Sequence, residues 1–144
     1  MIEKDTIKLL RECDAGIRMG ISSIDDVIDD VKNKDFKEKL NACKDEHENL
    51  QNKLLVMLEN FHDDGKDPNP MAKGMSWVKT KVMLAADDSD NTVADLMTDG
   101  CNMGVKSLSR YLNKYKAADE DSKNITKDLI DVEEKLCKDI REYL

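Results

Sequence analysis

The chain has 144 residues, 40% of them apolar and 38% charged, with six Gly, two Pro, one Trp, three Tyr and two Phe. That is enough for one core and not for two, so residues 1–144 are expected to form a single domain. The 31 acidic and 23 basic residues give a formal charge of -8, which repels phosphate backbones and anionic lipid; neither nucleic acid nor a membrane is an expected partner. No window approaches the uncharged apolar run of a membrane span, and Met1-Ile2-Glu3-Lys4-Asp5 lacks the basic-then-apolar order of a signal peptide. A soluble, cytoplasmic protein follows as the expectation. Scarce Gly, Pro and aromatics beside abundant Lys, Glu, Asp, Leu and Ile predict an all-α chain. The four cysteines, Cys13, Cys43, Cys101 and Cys137, form no C-x-x-C pair, and without an export signal they are expected as reduced thiols.

From Ile7 to Val31 apolar residues recur at three- and four-residue steps (Leu10, Cys13, Ile17, Gly20 or Ile21, Ile24, Ile28, Val31), which predicts one long helix. Asp25, Asp26, Asp29 and Asp30 fall between those positions and should face water. Near Asn33-Lys34-Asp35 the pattern breaks, and Asp35 with Glu38 reads as an N-cap and capping box. The second helix carries the cleanest stripe: Phe36, Leu40, Cys43, His47, Leu50, Leu54, Met57 and Phe61. His47 and Cys43 therefore point inward. The run Asp63-Asp64-Gly65-Lys66-Asp67-Pro68-Asn69-Pro70 ends it, with Gly65 free to take the left-handed cap.

A shorter apolar pattern between Met71 and Ala86, with Trp77, predicts a brief helix within the connection, which spans about residues 64–90. Asp90 or Asn91 is expected to cap a third long helix whose inner face reads Val93 or Ala94, Met97, Cys101, Gly104 or Val105, Leu108, Leu112 and Tyr115. After Ala117-Ala118-Asp119 a fourth helix runs through Ile125, Leu129, Val132, Leu136, Ile140 and Leu144, with Cys137 beside its stripe. Two short turns make two antiparallel hairpins. A helix of about 27 residues is about 40 Å long, and the middle connection can return along that whole length. The second and third helices would then run parallel, giving the one-crossover, ferritin-like form of the four-helix bundle.

In that topology Gly20, His47, Gly104 and Val132 fall at nearly equal depth, with Cys43, Cys101, Glu133 and Cys137 within about a turn. Cys43 and His47 are i and i+4 on one face, and thiolate with imidazole suits zinc or another soft ion. His47, Cys43, Glu46, Cys101 and Glu133 are accordingly the candidate metal ligands, with iron or zinc as the candidate ions. The competing reading is a buried, hydrogen-bonded His47, for which Asp131 or Glu134 could supply the partner. Gly16, Gly20, Gly100 and Gly104 repeat at four residues, and mid-helix Gly costs about 1 kcal/mol relative to Ala. Close approach of two helix backbones is the expected reason; room for a bulky group such as the His47 ring, or for a ligand, is the alternative.

A di-iron centre asks for a Glu from each of two helices and a Glu-x-x-His pair from each of the other two. The histidines are His47 and His62 alone, Lys44 stands three before His47, and the fourth helix has none, so the constellation is incomplete. No nucleophile elbow, phosphate loop, dinucleotide fingerprint or H-E-x-x-H occurs.

Asp14-Ala15-Gly16, the Phe36-to-Leu54 stripe, Gly74, Trp77 and Lys81 in the connection, and Gly100 with Tyr111 are spaced landmarks over most of the chain. With them the sequence resembles a small bacterial domain-of-unknown-function family in the ferritin-like superfamily. Similar proteins commonly carry an acid after the glycine of the third helix, where this chain has Cys101. The resemblance implies a dimeric four-helix bundle related to stress or metal handling; a homo-oligomer or a protein partner is the expected association. The leading expectation is a non-catalytic bundle without a di-iron centre, acting in binding or structure. A degenerate metal-dependent oxidoreductase using Glu12, Glu46, Asp99 and Glu133 with His47, and a thiol redox sensor built on Cys43, Cys101 and Cys137, are the alternatives.

Overall fold

A computed structural model of the chain describes residues 2–66, 87 and 89–144. Among them are four long helices and no strand: α1 (Ile2–Val27), α2 (Lys34–Glu59), α3 (Asp90–Lys114) and α4 (Glu120–Asp139). Single 3-10 turns follow α1 (Ile28–Asp30) and α4 (Arg141–Tyr143). The short helix expected between Met71 and Ala86, with Gly74, Trp77 and Lys81, lies outside the described residues.

Each boundary after the first is set by a side chain that satisfies an otherwise unpaired backbone N–H. Asn33, in extended conformation, accepts from the Phe36 N–H at 3.0 Å and caps α2, so Asp35 is not the cap; it lies in the first turn. Ser89 caps α3 through the Thr92 N–H at 3.3 Å. Asp90, expected as that cap, instead accepts from the backbone N–H groups of Lys32 and Asn33 at 2.9 and 2.8 Å. Asp119 caps α4 through the Ser122 N–H at 2.8 Å, as its position in the turn suggests.

These bonds also orient the helices. Asp90 ties the start of α3 to the start of α2. At the other end the α3–α4 turn sits on the start of α1: the Ala117 N–H bonds Asp5 at 3.1 Å and the Asp119 N–H bonds Thr6 at 2.8 Å. Helices α2 and α3 thus begin at one end, α1 and α4 at the other. Within the bundle α1 packs on α2 and α3, α4 packs on α2 and α3, and α1 meets α4 across the centre.

The interior holds two large apolar clusters and a small third one of Leu9, Tyr115 and Ala118. Near the start of α2, Ile24, Val27, Phe36, Leu40, Cys43, Val93, Met97, Cys101, Leu136 and Ile140 pack together, and Tyr143 stacks on Phe36 with centroids 4.6 Å apart. Toward the opposite end, Leu10, Cys13, Ile17, Leu50, Leu54, Leu58, Leu108, Ile125 and Leu129 form the second cluster. Each is a normal core of interdigitated aliphatic side chains. At the level between the two large sets lie Gly20 on α1, His47 on α2, Gly104 on α3 and Glu133 on α4, while Val132 packs against both. A polar layer lies between two oils.

Candidate functional site

His47 is placed by its own stripe, three residues before Leu50 and four after Cys43, and is 1% exposed. Its Nε2 meets Glu133 Oε1 at 2.8 Å, and its Nδ1 lies 2.8 Å from the backbone carbonyl of Cys43 and 3.5 Å from that residue's Sγ. The carbonyl can only accept, so Nδ1 carries a proton. Glu133 occupies the inner face of α4, four residues after Leu129 and three before Leu136, and is 9% exposed. The expected partners Asp131 and Glu134 are both exposed, and Glu133 takes the role instead.

Burial alone would drive the imidazole neutral, but its bonds to Cys43 and Glu133 outweigh that and raise its pKa from 6.5 to about 10. At neutral pH the layer therefore holds an imidazolium–carboxylate pair, with both ring nitrogens committed inside the protein.

Around this pair the buried thiols Cys43 and Cys101 resist ionisation. Burial pushes the Cys101 thiol well above its ordinary range, the Glu133 carboxylate adding to it, and burial likewise raises Cys43 against the lowering effect of His47. Cys13 is pushed up to about 12 by burial. Cys137, half-buried, points its Sγ at Asn102 Oδ1, 3.6 Å away. A thiol that stays protonated is a weak nucleophile and a weak ligand.

Of the five candidate ligands, Cys43, His47, Cys101 and Glu133 come together in or beside the polar layer. Glu46 does not; its carboxylate turns outward to Lys135 Nζ at 3.2 Å. Asp99 is exposed on α3, and Glu12 pairs with Lys66 Nζ at 2.6 Å. Among the described residues no group of three or more His, Cys, Asp or Glu side chains is arranged to hold a metal ion.

Beside the layer, between α1 and α3, lies a cavity of about 650 Å³. Gly16, Gly20, Gly100 and Gly104 line it, and His47 and Glu133 form part of its floor. Gly16, Gly20 and Gly104 do not serve the backbone contact that their spacing suggested. A Cβ on Gly16 would meet only Leu129 and Leu108 side chains, at 3.7 and 3.9 Å, and one on Gly104 would meet Glu133 at 3.6 Å. A Cβ on Gly20, in contrast, would lie 2.5 Å from His47 Nε2, so that glycine makes room for the ring.

The sequence reading missed a second buried acid. Asp14 is fully buried on α1, pairs with Arg18 at 3.1 Å, and its Oδ2 accepts the Lys66 backbone N–H at 2.9 Å. It holds the chain leaving α2 against α1, where Gly65 takes φ +89° and leaves no space for a Cβ beside that carboxylate. The signal was present: Asp14 lies four residues after Leu10 and three before Ile17, on the buried face.

Compared with known proteins, the chain matches no family model, no curated protein and no solved structure.

Proposed function

We propose that this chain is a ferritin-like bundle, with one long crossover over about residues 64–90, that binds or scaffolds rather than catalyses. The common starting end of α2 and α3 supports the crossover, since the chain must return the length of α2 before α3 begins. The observation that carries the functional reading is the state of His47. A metal ligand or general base offers a ring nitrogen lone pair, whereas here Nε2 is spent on Glu133 and Nδ1 on the Cys43 carbonyl. Glu46, drawn to Lys135, supports the same view.

The bundle is proposed to work in the cytoplasm with a protein partner or as a homodimer, the dimer being what the family resemblance implies. Purification from iron- and zinc-supplemented cells, followed by mass spectrometry of the native protein, tests the reading. The expected result is no stoichiometric metal; one or two irons per chain would overturn it.

A further inference from the structure

The cavity between α1 and α3 has the size of a small-molecule site: its volume of about 650 Å³ falls within the ~300–1,000 Å³ typical of such pockets. Along α1 its lining extends from Glu12 to Ile24, about 18 Å at 1.5 Å per residue. The walls are apolar and adaptable, with Met19, Met97 and Met103 among them, and Met103 is 54% exposed. Packed helices normally fill such a seam with side chains; among the described residues, glycines on both helices leave it open.

The charges on the lining cancel. Its two acids each face a base: Glu12 meets Lys66 at 2.6 Å and Glu133 meets His47 at 2.8 Å. An anionic ligand would be repelled by the Glu133 carboxylate and a cationic one would compete with the imidazolium for it, so the space favours a neutral molecule. One polar feature fixes orientation. Glu133 Oε1 accepts from His47 Nε2, and its Oε2 lies on the side of Gly104, 3.6 Å from where a Cβ would stand. A carboxylate accepts about four hydrogen bonds, so Glu133, bonded to His47 and Cys101, can take one more from a bound molecule.

We propose that the α1–α3 cavity binds a neutral, largely apolar small molecule that donates one hydrogen bond to Glu133. This deepens the binding role proposed above and rests on it. N-phenyl-1-naphthylamine is a suitable probe, being neutral, apolar, fluorescent in dry surroundings and equipped with one N–H; its N-methyl analogue has the same bulk and no donor. Titration of the full chain should show one saturable site, with the N-methyl analogue bound about tenfold more weakly, as expected for one hydrogen bond to a charged acceptor.

Ser107 lies exposed on the cavity lining, so Ser107→Phe should abolish binding while leaving the circular dichroism spectrum unchanged. Failure of both probes to bind, equal affinity for the two, or binding unaffected by Ser107→Phe would overturn the proposal. Binding that appears only after residues 67–86 are exchanged for a Gly/Ser linker would assign the space to the chain itself and overturn it equally. Metal analysis is independent of these outcomes: iron in a protein that binds the probe contradicts the non-catalytic reading alone, and a metal-free protein that ignores both probes contradicts the cavity proposal alone.

Discussion

The seam between α2 and α4 and the seam between α1 and α3 flank the same polar layer and solve opposite problems. Across the first, His47 and Glu133 meet at 2.8 Å and Lys135 reaches Glu46 at 3.2 Å, so polar groups close the gap. Across the second, Gly16, Gly20, Gly100 and Gly104 withhold side chains and a cavity remains. The two are linked at one point, because the His47 ring occupies the space that Gly20 vacates. What closes one seam keeps the other open.

Breaking the closed seam should have the largest effect. Glu133→Ala leaves a buried imidazole without its charge partner, and removing one member of such a pair costs about 3 kcal/mol. Urea unfolding of the variant should show that loss; a change under about 0.5 kcal/mol would mean the pair contributes little to holding α2 on α4. A smaller loss is expected from the junction of the seams. Gly20→Ala places a methyl 2.5 Å from His47 Nε2 and must displace the ring, at a cost of about 2 kcal/mol after the gain in helix propensity.

Gly16→Ala, on the same helix and four residues away, meets only ordinary contacts and should instead stabilise the fold by up to about 1 kcal/mol. Opposite signs at Gly16 and Gly20, read as shifts in melting temperature, would sharpen the comparison. Equal signs would remove it.

The same pair sets a pH dependence. His47 has its pKa raised from 6.5 to about 10, so its stabilisation is complete below pH 6.5 and is lost as the pH rises toward 10. The slope is about 1.4 kcal/mol per pH unit for one proton, or roughly 2–3 kcal/mol between pH 6.5 and 8.5. That window stays below the ordinary thiol range, where the raised pKa of Cys13 adds a loss of the same sign. In Glu133→Gln the slope over this window should become shallower, the contact with Cys43 remaining. Unfolding curves at three pH values suffice to compare the two proteins.

Much of this was legible in the chain because helical period carries it. The face Phe36, Leu40, Cys43, His47, Leu50 and Leu54 is buried as its spacing requires. The last turn of α2 departs from it: Leu58 is fully buried while Met57 and Phe61 are only half so. A straight helix of 3.6 residues per turn drifts about 20° per heptad, and after three heptads the inner face has moved on by one residue. The same ambiguity hid Glu133 as the partner of His47, although it was named among the candidate ligands. Val132 and Glu133 are adjacent, and hydrophobicity favours Val132, yet the structure leaves Val132 half-buried and turns the carboxylate inward toward His47. A tertiary partner decided what local pattern could not.

Caps were misassigned by one or two residues for a comparable reason. Asn33, Ser89, Asp90 and Asp35 are all competent, and the choice depends on the neighbouring turn that Asp90 binds. The glycines were readable as costly and unexplained, but whether they bring backbones together or hold them apart depends on how α1 and α3 are spaced, which no local pattern encodes.

The state of the His47 ring is the centre of this account, and nuclear magnetic resonance of the imidazole observes it directly. His62→Asn, which suits the left-handed φ of 54° at that position, leaves a single histidine to follow. The ring should remain doubly protonated through pH 8 and titrate near 10, with both nitrogens showing hydrogen-bonded proton signals. A ring that titrates near 6.5, or that shows a free nitrogen at pH 7, would contradict the paired state on which the non-catalytic reading depends.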